Sequence, residues 1–344
     1  MSNNPKILIV GPAWVGDMVM AQSLFKLIKS NQPQATIDVL APAWSLPLLE
    51  RMDEVSSGLT MPLGHGQWGL KERYHLGKSL RTKHYHQAIV LPNSFKSALI
   101  PWFAKIPLRT GWRGEMRWGL LNDLRHLNEQ RYPLMIERFM ALGLAPSQSL
   151  PPKEAYPLPQ LHFSTASQQA ALTKHQLSWD GRPLLALCPG AEFGPAKRWP
   201  EEHYAHVARA KIAEGWQVWL LGSAKDNSVT EKIMQLTQNQ CINLAGKTSL
   251  VEAVDLLSLA NAVVSNDSGL MHIAAALQKP LIVLYGPTSP SFTPPLHAKA
   301  KILTLHLPCQ PCFKRECPLR HHHCMQHLLP TQVLQVLSEG IPQT

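Results

Sequence analysis

The chain has 344 residues, of which 45% are hydrophobic and 16% charged. This balance excludes a disordered polymer and is enough for two domains, each with its own core. The polar start, Met1 to Asn4, lacks the basic and apolar regions of a secretory leader, and no apolar stretch approaches the roughly 20 residues that span a bilayer. A cytoplasmic protein is expected. The formal charge is +10 and uneven: from Lys71 to Arg138 there are 13 Lys or Arg against 5 Asp or Glu. Such a segment is either a set of solvated helix faces or a surface for an anionic partner, and charge alone does not choose between them.

In chain order, Ile7 to Val10 is an apolar run closed by Gly11-Pro12, as expected of a buried parallel strand. A helix is expected from about Asp17 to Ser30, then a strand over Thr36–Leu40 and another over Ala88–Leu91, closed by Pro92-Asn93. Residues 146–162 are rich in Pro, Ser and Gln without helical periodicity, which suits an inter-domain linker. The alternation then restarts with a strand at Leu184–Cys188, a helix at His203–Glu214 stopped by Gly215, and a strand at Val218–Leu221. Ser249 to Glu252 has capping-box spacing at a helix start. A strand over Ala262–Ser265, a helix over Leu270–Leu277 and a strand over Leu281–Tyr285 follow. Two β/α-alternating halves imply an α/β protein of two Rossmann-like domains, residues 1–160 and 175–344, facing a central cleft.

Three strand-end loops carry the chemistry. In Ala262–His272 an apolar strand runs through Asp267-Ser268-Gly269 into a helix, whose free amides and dipole suit an anion such as diphosphate. Asp267 fits two roles, a helix cap or a ligand for sugar hydroxyls. In Gly11–Asp17 the glycines have P-loop spacing, but Asp17-Met18 replaces the required Lys-Ser/Thr, so an ATPase is rejected. The dinucleotide fingerprint is absent too. Asp17 is left as a general base or as an N-cap. In Pro189–Pro200, which includes Gly190 and Ala191, Lys197 follows small and rigid residues and is suited to offset the charge of a leaving diphosphate. Leu221–Asp226, with Ser223 and Asp226, is a fourth strand-end turn, where a doubly wound domain often meets a nucleoside. No Asp-x-Asp pair occurs, which agrees with diphosphate held by a lysine and a helix N-terminus.

Cys188 and Cys241 read as ordinary core thiols. Cys309, Cys312, Cys317 and Cys324 cluster within 16 residues beside His321, His322, His323 and His327. In a cytoplasmic chain that grouping points to structural zinc more than to disulfides, with free thiols or a redox pair as alternatives. A zinc-bearing nucleic-acid-binding protein is disfavoured, because the basic segment and the cysteines lie in different halves and no recognition helix is seen. A nucleotide-sugar epimerase or reductase is disfavoured by the missing fingerprint.

As a set, GPAWVGDMVMAQSL, LPNSFKSAL, RTGWRGEMRWGLLND, PGAEFGPAKRWP, LLGSAKD, NDSGLMHIAAAL and YGPTSP resemble the ADP-heptose:lipopolysaccharide heptosyltransferases of glycosyltransferase family 9, from residue 11 to residue 290. The resemblance implies a GT-B fold with the acceptor held mainly by the first domain and ADP-heptose by the second. It implies inverting, metal-independent transfer of L-glycero-D-manno-heptose to the first heptose of the lipopolysaccharide inner core, heptosyl-Kdo2-lipid A, with no catalytic cofactor. A relative acting one step earlier, on Kdo2-lipid A, or another nucleotide-sugar enzyme is the alternative. By the same resemblance Asp17 is the base and Lys197 meets donor phosphate. Asp267 meets the sugar, and the backbone of Ser268, Gly269 and Leu270 holds phosphate. Gly190, Ala191, Ser223, Asp226 and His272 complete the donor set, and Trp14, Asn93, Lys96 and Arg113 form the acceptor set. Arg109, Arg113 and Arg117 are expected to face the cleft and meet the acceptor's carboxylates and phosphates. The chain would then work at the cytosolic face of the inner membrane by peripheral contact, with no nucleic-acid partner. One departure stands out: Glu192-Phe193-Gly194 replaces the threonines that some relatives carry just before the lysine.

Overall fold

A computed structural model describes residues 4–64 and 66–340. Most of the polar start read above as lacking a leader lies outside the described residues. The chain divides into two compact units, Met1–Pro159 and Gln160–Thr344.

The first unit runs β1 (Lys6–Val10), α1 (Val15–Asn31), β2 (Thr36–Pro42), α2 (Leu46–Leu49), β3 (Ser57–Met61), α3 (Leu70–Leu80), β4 (Gln87–Val90), α4 (Leu99–Phe103), β5 (Leu108–Trp112), β6 (Asp123–Arg125) and α5 (Met135–Leu142). Its strands are ordered β3-β2-β1-β4-β5-β6 and every pairing is parallel. The second unit runs α6 (Thr165–Lys174), β7 (Leu184–Cys188), α7 (Glu201–Ala213), β8 (Gln217–Leu220), α8 (Asn227–Leu236), β9 (Ile242–Asn243), α9 (Leu250–Leu259), β10 (Ala262–Asn266), α10 (Gly269–Ala276), β11 (Leu281–Leu284), β12 (Lys301–Leu303), α11 (His323–Gln326) and α12 (Pro330–Gly340). Its order, β12-β11-β10-β7-β8-β9, is the same winding, again parallel throughout.

Strands covered on both faces must be apolar along their length, and β7 and β10 are buried at every position. In β1 only Lys6 is exposed. Each sheet reverses direction once, between β1 and β4 in the first unit and between β7 and β10 in the second. In such sheets the loops beyond the carboxyl ends at the reversal form a crevice that suits ligands. In the first unit those loops begin at Gly11 and at Leu91. A Cβ on Gly11 would stand 2.7 Å from the Met18 methyl and 3.3 Å from the Leu40 carbonyl oxygen, so a larger residue there would have to displace the Met18 side chain of α1.

Several elements escaped the sequence pattern. Residues 160–174, left between the two expected domains, contain α6, which docks on α9. Ser167 donates to Asp255 at 2.8 Å, Gln168 donates to Ser258 at 2.7 Å, and His175 meets Glu252 at 3.1 Å. The anchors are polar, so no apolar stripe betrays the helix. By contrast the capping box at Ser249 forms as its spacing requires, with the Ser249 amide donating to Glu252 at 2.8 Å.

Gly114, just after β5, bears on the crevice of the first unit. A Cβ there would lie 2.2 Å from the Asn93 carbonyl oxygen, which already accepts from the Glu115 amide at 3.0 Å. Gly114→Ala is expected to push the Asn93 loop outward and cost about 1–3 kcal/mol. Thermal unfolding of the variant beside Gly119→Ala, where nothing lies within 4 Å but φ is +76°, separates this clash from simple backbone strain.

Candidate active site

The second unit assembles its site where β7 and β10 lie side by side. Both strands end in loops, and Asn266, the last residue of β10, ties them together. Its side-chain amide donates to the Pro189 carbonyl at 2.7 Å, and its side-chain oxygen accepts from Tyr204 Oη at 3.0 Å and from the Trp199 amide at 3.3 Å. Asn266 is fully buried, so these partners satisfy a group that would otherwise be costly. The bonds hold the Gly190–Pro200 loop over the end of β10.

That placement brings Lys197 to Asp267. The Lys197 ammonium donates to Asp267 Oδ2 at 2.6 Å and to its carbonyl at 3.3 Å. Both side chains are largely withdrawn from solvent, at 13% and 6% exposure. The same carboxylate oxygen accepts from Thr288 Oγ1 at 2.6 Å. Asp267 is therefore not a helix cap: the residue at the cap position of α10 is Ser268. The Phe193 ring packs under the Lys197 ammonium, 5.0 Å from its centroid, where the negative face of the ring favours a cation.

Ser268, Gly269 and Leu270 are half-buried, whereas Asp267 before them and Met271 to Ala276 after them are buried. The first-turn amides of α10 thus lie at an accessible edge beside a fixed cation, an arrangement that attracts anions. His272, one turn into α10, is 5% exposed. Desolvation depresses its pKa to about 4, with Asp267 opposing and Lys197 assisting. It stays neutral at physiological pH and adds no charge of its own.

Gly190 and Ala191 are buried at the root of the loop. A Cβ on Gly190 would meet Asp226 Oδ2 at 2.5 Å. That same oxygen accepts from the Ser223 amide and hydroxyl, each at 2.8 Å. Ser223 and Asp226 therefore close a capping box around one another beneath the loop, with Asp226 only 7% exposed. Glu192, in the stretch where some relatives carry threonines, pairs with Lys225 at the surface.

In the first unit, Asp17 is the third residue of α1, in its first turn, while the cap position belongs to Trp14. The N-cap reading of Asp17 is therefore incorrect. Its carboxylate instead sits against the positive end of the helix dipole. Trp14 is 41% exposed. The Asn93–Lys96 and Arg113–Arg117 segments are laced together: the Phe95 amide donates to Glu115 at 2.6 Å and Arg117 donates to the Asn93 side chain at 3.4 Å. Lys96 donates to the Gln67 carbonyl at 3.3 Å, and the exposed Arg113 lies 5.4 Å over the Trp118 ring.

The structure corrects the expectation for two arginines of this segment. Arg117 is 1% exposed and donates to the carbonyls of Pro92 and Trp112. Burial pushes its pKa down to about 10, with Glu115 opposing. Arg109 donates to the Leu120 and Ile106 carbonyls, both at 2.6 Å. Both guanidinium groups brace loops rather than present charge. Arg73, 4% exposed, does the same for the carbonyls of Trp68, Lys96 and Gln67. Part of the basic excess is scaffold.

Thr288, Asn266 and Tyr204 belong to the second unit's site, although none of them is among the residues singled out from sequence. Asn266 closes an apolar strand and Thr288 lies in the turn after one, whereas Tyr204, inside α7, carries no such signal. All six cysteines are free. Among the described residues, no group of three or more His, Cys, Asp or Glu side chains is set to hold a metal ion, and no helix is long and apolar enough to cross a membrane.

Residues 73–323 match the model of glycosyltransferase family 9 (heptosyltransferase). The chain is 50% identical over 342 residues to lipopolysaccharide heptosyltransferase 2 of Escherichia coli (strain K12), covering 97% of each chain. It is 53% identical over 308 residues to lipooligosaccharide heptosyltransferase 2 of Haemophilus influenzae, covering 87% of this chain and 88% of the other. Among solved structures it is similar to the E. coli ADP-heptose lps heptosyltransferase II, with a TM-score of 0.88, 48% identity, and 97% and 98% of the two chains covered. The chain belongs to glycosyltransferase family 9, the heptosyltransferases, and is a glycosyltransferase of the α/β GT-B class.

Removing one partner of the buried pair leaves the other uncompensated. Asp267→Ala is expected to cost about 3–5 kcal/mol. The double change Lys197→Met with Asp267→Asn is expected to cost less than Asp267→Ala alone. Denaturant unfolding of the three proteins checks this, and a double variant less stable than the single one would contradict a paired, desolvated site.

Proposed function

We propose that the protein transfers L-glycero-D-manno-heptose from ADP-heptose to the first heptose of the lipopolysaccharide inner core, with inversion and without a metal ion. The observation that carries this reading is the Lys197–Asp267–Thr288 cluster beside the half-exposed first turn of α10. Relatives named heptosyltransferase 2, about half identical over nearly the full chain, support the choice of sugar and acceptor.

In this mechanism the Ser268–Leu270 amides and Lys197 hold the donor diphosphate. They stabilise the charge that grows on ADP as the glycosidic bond breaks, which is the positive charge a metal ion supplies in other transferases. Thr288 and Lys197 both bind Asp267 Oδ2, which directs Oδ1 toward the sugar hydroxyls. Gly190 and Ala191 give the donor a close approach to backbone, and neutral His272 offers a hydrogen bond without altering the charge. Ser223 and Asp226 support this loop from below and contact the nucleoside only through their turn. The acceptor hydroxyl attacks the anomeric carbon from the face opposite ADP, and Asp17 takes its proton. Trp14, Asn93, Lys96 and Arg113 bind the acceptor, whose carboxylates and phosphates suit the two cations.

The lipid acceptor implies work at the cytosolic face of the inner membrane, by peripheral contact. Exposed Trp68, Leu70, Tyr74 and Trp102 lie in the same unit as the basic segment, a mixture suited to an anionic lipid surface.

The test is ADP release from ADP-heptose with no magnesium or manganese added. Release is expected with heptosyl-Kdo2-lipid A and not with Kdo2-lipid A, and the reverse preference would place the enzyme one step earlier. Asp17→Ala is expected to lower kcat by about 100-fold or more while ADP binding is unchanged. Near-normal turnover by that variant would remove Asp17 from the mechanism.

A further inference from the structure

Residues 304–322, between β12 and α11, contain no helix or strand, an unusual length of chain to be held without one. Leu305 and Leu307 pack against the second unit's core, but apolar burial does not account for the remainder. From Pro311 to Arg320 every residue except Cys312 and Cys317 is exposed, Phe313 and Leu319 at 50% and 58%. The two cysteines turn inward together with Cys309 and Cys324. All four line one cavity of about 20 Å³, with His321, His322, Ala196 and Pro287 at its margin. That space suits a single ion. Four thiols without a disulfide among them are the donor set of a closed thiolate site.

The same segment grips both loops that build the cluster around Asp267. Arg315, between Cys312 and Cys317, lies so close to Gly194 that a Cβ there would stand 2.4 Å from the Arg315 carbonyl oxygen. That oxygen accepts from the Ala196 amide at 3.0 Å, and the Arg315 guanidinium packs 5.6 Å over the Phe193 ring that also underlies Lys197. On the other side, the Phe313 amide donates to the Pro287 carbonyl at 2.8 Å. The Gln310 side chain donates to the Gly286 carbonyl at 2.7 Å, and Gly286 packs against Met325 and Cys324. Thr288 follows directly.

We propose that Cys309, Cys312, Cys317 and Cys324 bind one thiophilic divalent cation of the zinc class, and that this centre fixes the loops delivering Lys197 and Thr288 to Asp267. Because the side chains are not already set around an ion, the thiols close on it when it binds. Arg315 and Phe313, inside the closed loop, then carry the constraint to Gly194–Lys197 and to Pro287-Thr288. The four cysteines are positioning residues, and the effect on the donor rests on the diphosphate role given above to Lys197.

The experiment uses the full chain purified without added metal. Mass-spectrometric metal analysis is expected to find one zinc per chain, released by a mercurial thiol reagent and lost in the Cys312→Ser, Cys317→Ser variant. Metal-free protein whose cluster thiols react at once with a disulfide reagent overturns the site. Calorimetric ADP binding before and after chelator dialysis is expected to weaken about tenfold on metal loss and to recover when zinc is restored. Unchanged affinity with the metal gone overturns the coupling, even if the serine variant fails to fold. Zinc-loaded protein that does not bind ADP would instead refute the donor reading and leave the metal site standing.

Discussion

The second unit's site depends on a buried ion pair, Lys197 with Asp267, joined at 2.6 Å. Either charge alone would be costly in that position, and together they hold only because the surrounding framework fixes them. The framework is specific: β7 and β10 are neighbours in the sheet, Asn266 fastens the β7 loop to the end of β10, and Thr288 adds a second donor to the carboxylate. A long, flexible lysine thereby loses its rotamer freedom on folding rather than on binding. The cation waits beside the first turn of α10, where helix amides already favour negative charge. On the proposed function, a diphosphate arriving there would meet a preset field, its charge drawing on an ammonium held by one carboxylate.

The first unit uses positive charge differently. Arg73, Arg109 and Arg117 donate to main-chain carbonyls of loops at the ends of β4 and β5 and before α3. Guanidinium suits this task because its planar fork satisfies several carbonyls at once and keeps its proton even when burial lowers its pKa. Arg113 and Lys96, in the same basic segment, retain accessible cationic groups at the rim. A formal charge count mixes these two uses.

Much of the architecture was legible in the sequence, for a physical reason. The central strands are apolar on both faces, and β1, β7, β8 and β11 run into Gly or Pro while β10 runs into Asp267-Ser268-Gly269, so all five announced themselves. The α/β class of two Rossmann-like halves followed from them. Elements anchored by polar contacts, such as α6 with its bonds to Asp255, Ser258 and Glu252, carry no periodic apolar signal and were missed. At the site, Lys197 and Asp267 stood out singly, but their pairing joins residues 70 positions apart and no local spacing encodes it. Asn266 and Thr288 carry no role that their sequence neighbours announce. Asp226 looked accessible, yet its carboxylate faces inward beneath Gly190. The direction of a side chain is decided by neighbours that only the fold supplies.

The central claim is that Lys197, held by Asp267, is the cation for the donor's diphosphate. Calorimetric titration of ADP into the wild-type protein and Lys197→Met, both as purified and with no magnesium or manganese added, tests it most directly. The wild type is expected to bind without added divalent metal, and the variant about 10–100-fold more weakly, the scale of a lost hydrogen bond to a charged group. Equal affinity in the two proteins, or wild-type binding that appears only when magnesium or manganese is added, would contradict it.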